Sequence, residues 1–236
     1  MASRTARAVG IDIGVDAAWL VALDSGSDRP RVVDALLSHP IDLVRIEKFC
    51  HESSVAIDAP GGLSIQPHLL DARIAPKFRP GRCSEVALSL AGISVQFVTP
   101  ALDDAVTSWM RSGFAVWRTL EESGLRPLET YPHGVFWRLA GRPLFHKQRP
   151  AGATARLEVL GPHVELTTDV EMWSHDGLDA LAAALVAWLA LSGDAERIDC
   201  RSDDAWPVHD GSAMFLPKVG QARPPGSTTA SGQVAR

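Results

Sequence analysis

Short runs of Val, Ile and Leu separated by turn residues open the chain: AVGIDIG (8–14), AWLVALD (18–24) and PRVVDAL (30–36), with Asp24-Ser25-Gly26-Ser27 marking one of the turns. Three such runs in succession predict an antiparallel meander. In IDLVRIEKFCHES (41–53), Leu43, Ile46, Phe49 and Cys50 fall at helical spacing, and SSVAIDAP follows as a strand. A helix feeding a strand after a meander predicts a right-handed crossover. Residues 61–82 carry Gly61, Gly62, Pro67, Pro76, Pro80 and Gly81 together with Arg73, Lys77, Arg79 and Arg82, the pattern of a long basic loop.

Beyond that loop the pattern predicts a helix over CSEVALSLAG, a strand over VQFVT and a helix over residues 102–124. A second run then follows: a strand at PLETYP (127–132), helices at HGVFWRLAG and ATARLEVLG (153–161), and a strongly apolar helix over 176–192 that closes the core. AERIDCRSDDAWPVHDGSAMFLP predicts a short hairpin, with Ala205-Trp206 and Met214-Phe215-Leu216 as its apolar portions. QARPPGSTTASGQVAR has no periodic apolar face and reads as disordered. The expected organisation is one domain over 8–217, an arm over 1–7 and a tail over 218–236. The fold class is α/β, a mixed sheet whose first three strands are antiparallel, with helices on both faces and an inserted loop-helix region.

At 236 residues and 46% apolar composition the chain can bury a sizeable core. A formal net charge of -5 and a pI near 5.9 exclude a protein that coats nucleic acid by bulk charge. Cys50, Cys83 and Cys200 form neither an even framework nor a CxxC, which argues for free thiols in a reducing cytoplasm and against a zinc site. MASRTARAVG lacks the apolar stretch of an export signal, and Ala180–Leu191 is short for a bilayer span, so a cytoplasmic protein is expected.

Carboxylates interrupt the apolar pattern at four places. Asp12 lies in VGIDIG; alternation sends Val9, Ile11 and Ile13 one way and Gly10, Asp12 and Gly14 the other, where the glycines leave room for a ligand. Asp58 ends a strand before Ala59-Pro60-Gly61-Gly62, where sheet proteins place ligands and where an Asx turn is equally at home. Glu129 precedes Thr130-Tyr131-Pro132 and is the least turn-prone of the set. Asp176 and Asp179 are three apart, on one face of the last helix, and Asp176 also suits an N-cap. Carboxylates within buried strands are costly unless a positive charge meets them, so the set points to one shared cation site. Mg²⁺ or Mn²⁺ matches all-oxygen donors and would serve in-line displacement at phosphorus. For the phosphate backbone, Arg138, Arg142, His146, Lys147, Arg149 and Arg156 form a block without an acid, which also fits a solvated basic face.

VGIDIG, VAIDAP, the Arg82-Cys83 step, ETYP, Lys147…Gly152…Arg156 and HDGLDALAAA, in this order, resemble a bacterial and archaeal domain-of-unknown-function family described as predicted RNase H-like nucleases. The resemblance covers roughly residues 8–217. It implies an RNase H-like sheet and a metal-dependent nuclease acting on DNA or RNA. In it, Asp12, Asp58, Asp176 and Asp179 are catalytic metal ligands and Glu129 is a further ligand or a base. Arg82, Lys147 and Arg156 are substrate contacts. Ser84 stands where that family shows an acid after Arg-Cys, which displaces the acid to Glu85. The Asp-x-x-Asp-Ala helix is also similar to the last catalytic pair of Holliday-junction resolvases. Two other classes compete. GIDIGVDAAWLVALDSG resembles the first phosphate motif of sugar kinases and actin-like ATPases, whose second domain and Gly-rich adenosine motif are not evident here. A non-catalytic binding protein on the same fold would keep some of the carboxylates.

Overall fold

The computed structural model describes residues 6–25, 29–146, 149–166, 173–200 and 209–219. Three antiparallel strands come first: β1 (Arg7–Ile13), β2 (Ala18–Asp24) and β3 (Arg31–Ser38). Helix α1 (Leu43–Cys50), capped by the Asp42 carboxylate accepting from the Arg45 amide, carries the chain over to β4 (Ser54–Asp58), which pairs parallel with β1. After the loop and α2 (Cys83–Leu90), α3 (Ser108–Glu122) leads into the short strand β5 (Leu128–Thr130), parallel to β4. Helices α4 (Pro132–Ala140), α5 (Pro150–Leu160) and α6 (His175–Ser192) precede a closing antiparallel pair, β6 (Ala195–Ile198) and β7 (Met214–Pro217).

The sheet runs β3-β2-β1-β4-β5-β7-β6. This is the mixed α/β sheet expected from the sequence: an antiparallel meander with parallel strands added beside the first, and helices on both faces. On one face, Val9, Ile11, Ile13, Val55 and Ile57 pack with Ile46 and Cys50 of α1 and Val116, Trp117 and Leu120 of α3. On the other, Ala8, Val21, Leu23 and Ala56 meet α6, whose residues from Gly177 to Ala187 are all buried. By length and composition α6 could cross a membrane, but it is the central helix of this core.

Several elements differ from the sequence expectation. VQFVT forms no strand. The amide of Thr99 donates to the Glu85 carboxylate at 3.1 Å, and Phe97 packs edge-on to Trp109 and Tyr131, so side chains take the place of a strand ladder. The helix expected over 102–124 splits into a single tight turn, Asp103–Ala105, and α3, because Val106 and Thr107 are extended. The basic loop spends its cations on itself: Arg73 pairs with Asp71 at 2.6 Å and Arg79 donates to the Ile74 carbonyl at 2.8 Å. The segments 1–5, Ala205-Trp206 and 220–236 lie outside the described residues.

Candidate active site

Gly10 sets the geometry of the site. A Cβ built there would stand 2.0 Å from the Ala184 nitrogen and 2.1 Å from the Ala180 oxygen, so the backbone of α6 lies directly against β1. The space expected for a ligand beside Gly10 is therefore filled by a helix, and the ligand space lies further along, at Asp12. Helix α6 begins with Ser174, whose hydroxyl accepts from the Gly177 amide at 3.3 Å. Ser174 is the N-cap in place of Asp176, which frees the Asp176 carboxylate from that duty. Gly177 packs on Trp19, and Trp19 is the cross-strand partner of Asp12, so the first turn of α6 sits over the end of β1.

Asp12 and Asp58 occupy equivalent positions on neighbouring parallel strands. Parallel partners point to the same side of a sheet with their backbones about 4.8 Å apart. With Asp176 and Asp179 they line one cleft of about 500 Å³, whose other walls include Trp109, Tyr131, His133, His146 and Arg156. Asp12 is 8% exposed and Asp179 4%, whereas Asp58 and Asp176 are half-buried. The Arg156 Nε lies 4.0 Å from Asp179, its Nη1 donates to the Phe145 and Gly152 carbonyls at 3.2 and 3.0 Å, and its guanidinium stacks 5.0 Å from the centre of Phe136. Burial pulls the Arg156 pKa down, and the Asp179 charge works against that shift. His175 Nδ1 stands 2.6 Å from Asp176. Among the described residues, the sets of three donor atoms within 4.8 Å of one another lie elsewhere. The four carboxylates thus line a trough without closing a cage. That arrangement suits Mg²⁺, which keeps several waters and takes only one or two carboxylates before a substrate phosphate completes its shell.

Two of the expected site residues are not brought to this cleft. The register puts Glu129 beside Ile57, one place short of Asp58, and strand alternation turns its side chain to the opposite face of the sheet. There it accepts from Arg82 Nη1 at 2.7 Å, Arg82 Nη2 at 2.5 Å and the Gly61 amide at 3.2 Å. Arg82, only 3% exposed, also donates to Glu85 at 3.1 Å, and Glu85 accepts from the Thr99 hydroxyl. Burial works against the Arg82 charge, but Glu129 and Glu85 more than restore it, and its pKa is raised. Arg82 and Glu129 line a separate cavity of about 470 Å³ with Gly61, Trp117 and Phe215. The displaced acid, Glu85, thus has a place: it completes a buried carboxylate–guanidinium–carboxylate triad. Breaking such a group by removing one partner leaves uncompensated buried charge. Arg82→Met is expected to lower stability by about 3 kcal/mol in urea unfolding, with partial recovery when Glu129→Gln is added.

Lys147 lies outside the described residues. The basic block divides: Arg138 pairs with Glu196 at 2.6 Å, Arg142 and Arg149 are exposed, and His146 and Arg156 reach the cleft. Sequence reasoning missed His133 and Trp109 as cleft residues. Only the Pro132 start of α4, which places His133 in the first turn of the helix beside the end of β5, held a signal for the first.

A family described as "Protein of unknown function (DUF429)" matches residues 10–203. No curated protein matches the chain. Among solved structures the chain is similar to Thermus thermophilus RuvC, at 18% identity over 79% of this chain and 96% of that one, with a TM-score of 0.44. It is likewise similar to T. thermophilus RuvC in complex with Holliday junction substrate, at 19% identity, 80% and 96% coverage and a TM-score of 0.44.

Proposed function

The chain belongs to the DUF429 family of proteins of unknown function, and from the cleft its fold builds we propose that it is a metal-dependent nuclease hydrolysing phosphodiester bonds of DNA or RNA. The observation that carries this reading is the placement of Asp12 and Asp58 side by side at the ends of parallel strands, with Asp176 and Asp179 of α6 lining the same cleft. The donor set fits a hard divalent cation: all carboxylate oxygens, two of them on nearly buried residues, around a space open enough for a phosphate. Asp12, Asp58, Asp176 and Asp179 would hold Mg²⁺ or Mn²⁺, which when bound would activate the attacking water and offset the charge developing on the leaving oxygen.

The protein's own groups contribute orientation and charge. Arg156 is fixed by two carbonyls and by Phe136, so its positive charge stands ready beside Asp179, where a phosphate would enter. His175 Nδ1 lies beside Asp176, and His133 and His146 line the same cleft.

The test is a cleavage assay over single-stranded, duplex and branched DNA and RNA with Mg²⁺ or Mn²⁺, run beside Asp12→Asn and Asp179→Asn and beside an ATP-hydrolysis control. Cleavage of at least one substrate that needs the divalent ion and is lost in both variants is expected. ATP turnover without any cleavage would transfer the protein to the kinase-like class. A second readout needs no substrate. Mg²⁺ or Mn²⁺ at about 100 times its Kd is expected to stabilise the protein by about 2.7 kcal/mol in thermal unfolding. No rise in Tm at saturating ion, with no cleavage, would leave only a binding protein on this fold.

A further inference from the structure

Beside the Arg82 triad the fold gathers donors of a different kind. His68 Nε2 lies 3.2 Å from Cys83 Sγ, and Cys200 Sγ lies 3.2 Å from the Cys83 carbonyl oxygen. All three residues are buried, at 4%, 0% and 3% exposure, and their donor atoms fall within 4.8 Å of one another. A second set of equal compactness, Cys83, His209 and Asp210, shares the Cys83 sulfur. Asp210 Oδ2 accepts from the Cys83 amide at 3.1 Å, which brings that carboxylate to the same corner. His209 is otherwise engaged: Nδ1 accepts from the Gly211 amide at 2.8 Å and Nε2 faces Asp199 at 3.6 Å. A carboxylate oxygen with one hydrogen bond still has a lone pair to give.

We propose that His68, Cys83, Cys200 and Asp210 form a structural site for a single zinc ion. Two sulfurs, an imidazole and a carboxylate are a donor set that zinc takes in tetrahedral geometry. With metal–ligand bonds near 2.0–2.3 Å, a tetrahedral ion holds its ligand atoms about 3.6 Å apart. Among His68, Cys83 and Cys200 the observed 3.2 Å and the 4.8 Å limit bracket that spacing, and Asp210, which meets the same limit at Cys83, would turn toward the other two to complete the four. Thiolates also select zinc over the hard cations expected at the carboxylate cleft, so each site draws its own metal.

The four ligands come from stretches that need a tie. His68 sits in the loop between β4 and α2, Cys83 is the first residue of α2, Cys200 follows β6 and Asp210 precedes β7. Zinc would pin the loop and the start of α2 against the β6–β7 edge of the sheet. Cys83 is also the chain neighbour of Arg82, so the same ion would hold the guanidinium that grips Glu85 and Glu129. The cysteine spacing gives no sign of this, because the ligands are scattered and only the folded chain collects them.

Metal analysis of the full chain, purified without chelator from zinc-containing medium, tests the proposal. One zinc per chain is expected. Replacement by Co²⁺ should give the thiolate-to-metal charge-transfer band in the near ultraviolet, and chelation should lower Tm. Cys200→Ser should weaken zinc binding at least about a hundredfold, while Cys50→Ser, on the far face of the sheet, should retain it. Asp12→Asn should also keep its zinc, which separates failure of this site from failure of the nuclease reading. Should Cys200→Ser not fold, zinc content and the cobalt spectrum of the unaltered protein decide. Zinc below about a tenth of an equivalent together with a cobalt spectrum lacking the thiolate band overturns the proposal. So does a mass showing a Cys83–Cys200 disulfide.

Discussion

Asp12→Asn is expected to abolish divalent-dependent cleavage, lowering kcat/KM by at least about a thousandfold, or about 4 kcal/mol of transition-state stabilisation. The amide keeps the shape of the carboxylate and removes its charge, so the loss falls on cation binding and leaves packing alone. Asp12 is the right residue for this test because its neighbours are fixed. The strand register sets Asp58 beside it, and the first turn of α6 lies over it through Trp19 and Gly177. Stability should move the other way. In the metal-free protein Asp12 shares its cleft with three further carboxylates, and removing one like charge eases their mutual repulsion. The variant without metal is therefore expected to melt no lower than the parent, and the Tm rise produced by Mg²⁺ or Mn²⁺ in the parent should shrink. A destabilised Asp12→Asn protein with full nuclease activity would contradict both halves of the expectation.

Gly10→Ala carries the largest expected effect on folding. The added methyl would stand 2.0 Å from one backbone atom of α6 and 2.1 Å from another, and backbone cannot swing aside as a flexible side chain does. Overfilling a core ordinarily costs about 1–3 kcal/mol. Here a whole helix must retreat from β1, β2 and β4 together, and a loss of about 4 kcal/mol is expected, enough to leave much of a marginally stable chain unfolded. Urea unfolding measures it. A variant with the midpoint of the parent would mean that α6 is not seated on β1 at Gly10. If the protein folds at all, its cleavage rate should also drop, since the carboxylates of α6 move with the helix.

The elements most legible in the sequence are those whose pattern is local. The meander, α1, β4 and α6 follow from period and turn chemistry, and they are also the elements that carry Asp12, Asp58, Asp176 and Asp179. Glu129 shows what local reading lacks. An acid at a strand end looks alike whichever face it takes, and only the pairing of β5 with β4 turns it toward Arg82. Asp176 suits a cap in the sequence because Asp and Ser fit that position equally; the start of α6 at His175 assigns it to Ser174. The VQFVT stretch has the composition of a strand, yet the Glu85 carboxylate takes its Thr99 amide, a long-range competitor that no window of sequence contains. The sequence leaves the Gly10 face open, but its occupant, α6, lies far along the chain.

Because α6 both floors the cleft and fills the middle of the core, the amides of its buried residues 177–187 have no route to solvent short of loosening the whole sheet. Hydrogen exchange along β1 and along residues 177–187 of α6 should therefore share one opening free energy. An ion captured at the cleft should slow exchange by the same factor at every such amide, including those near Ala187, far from the carboxylates.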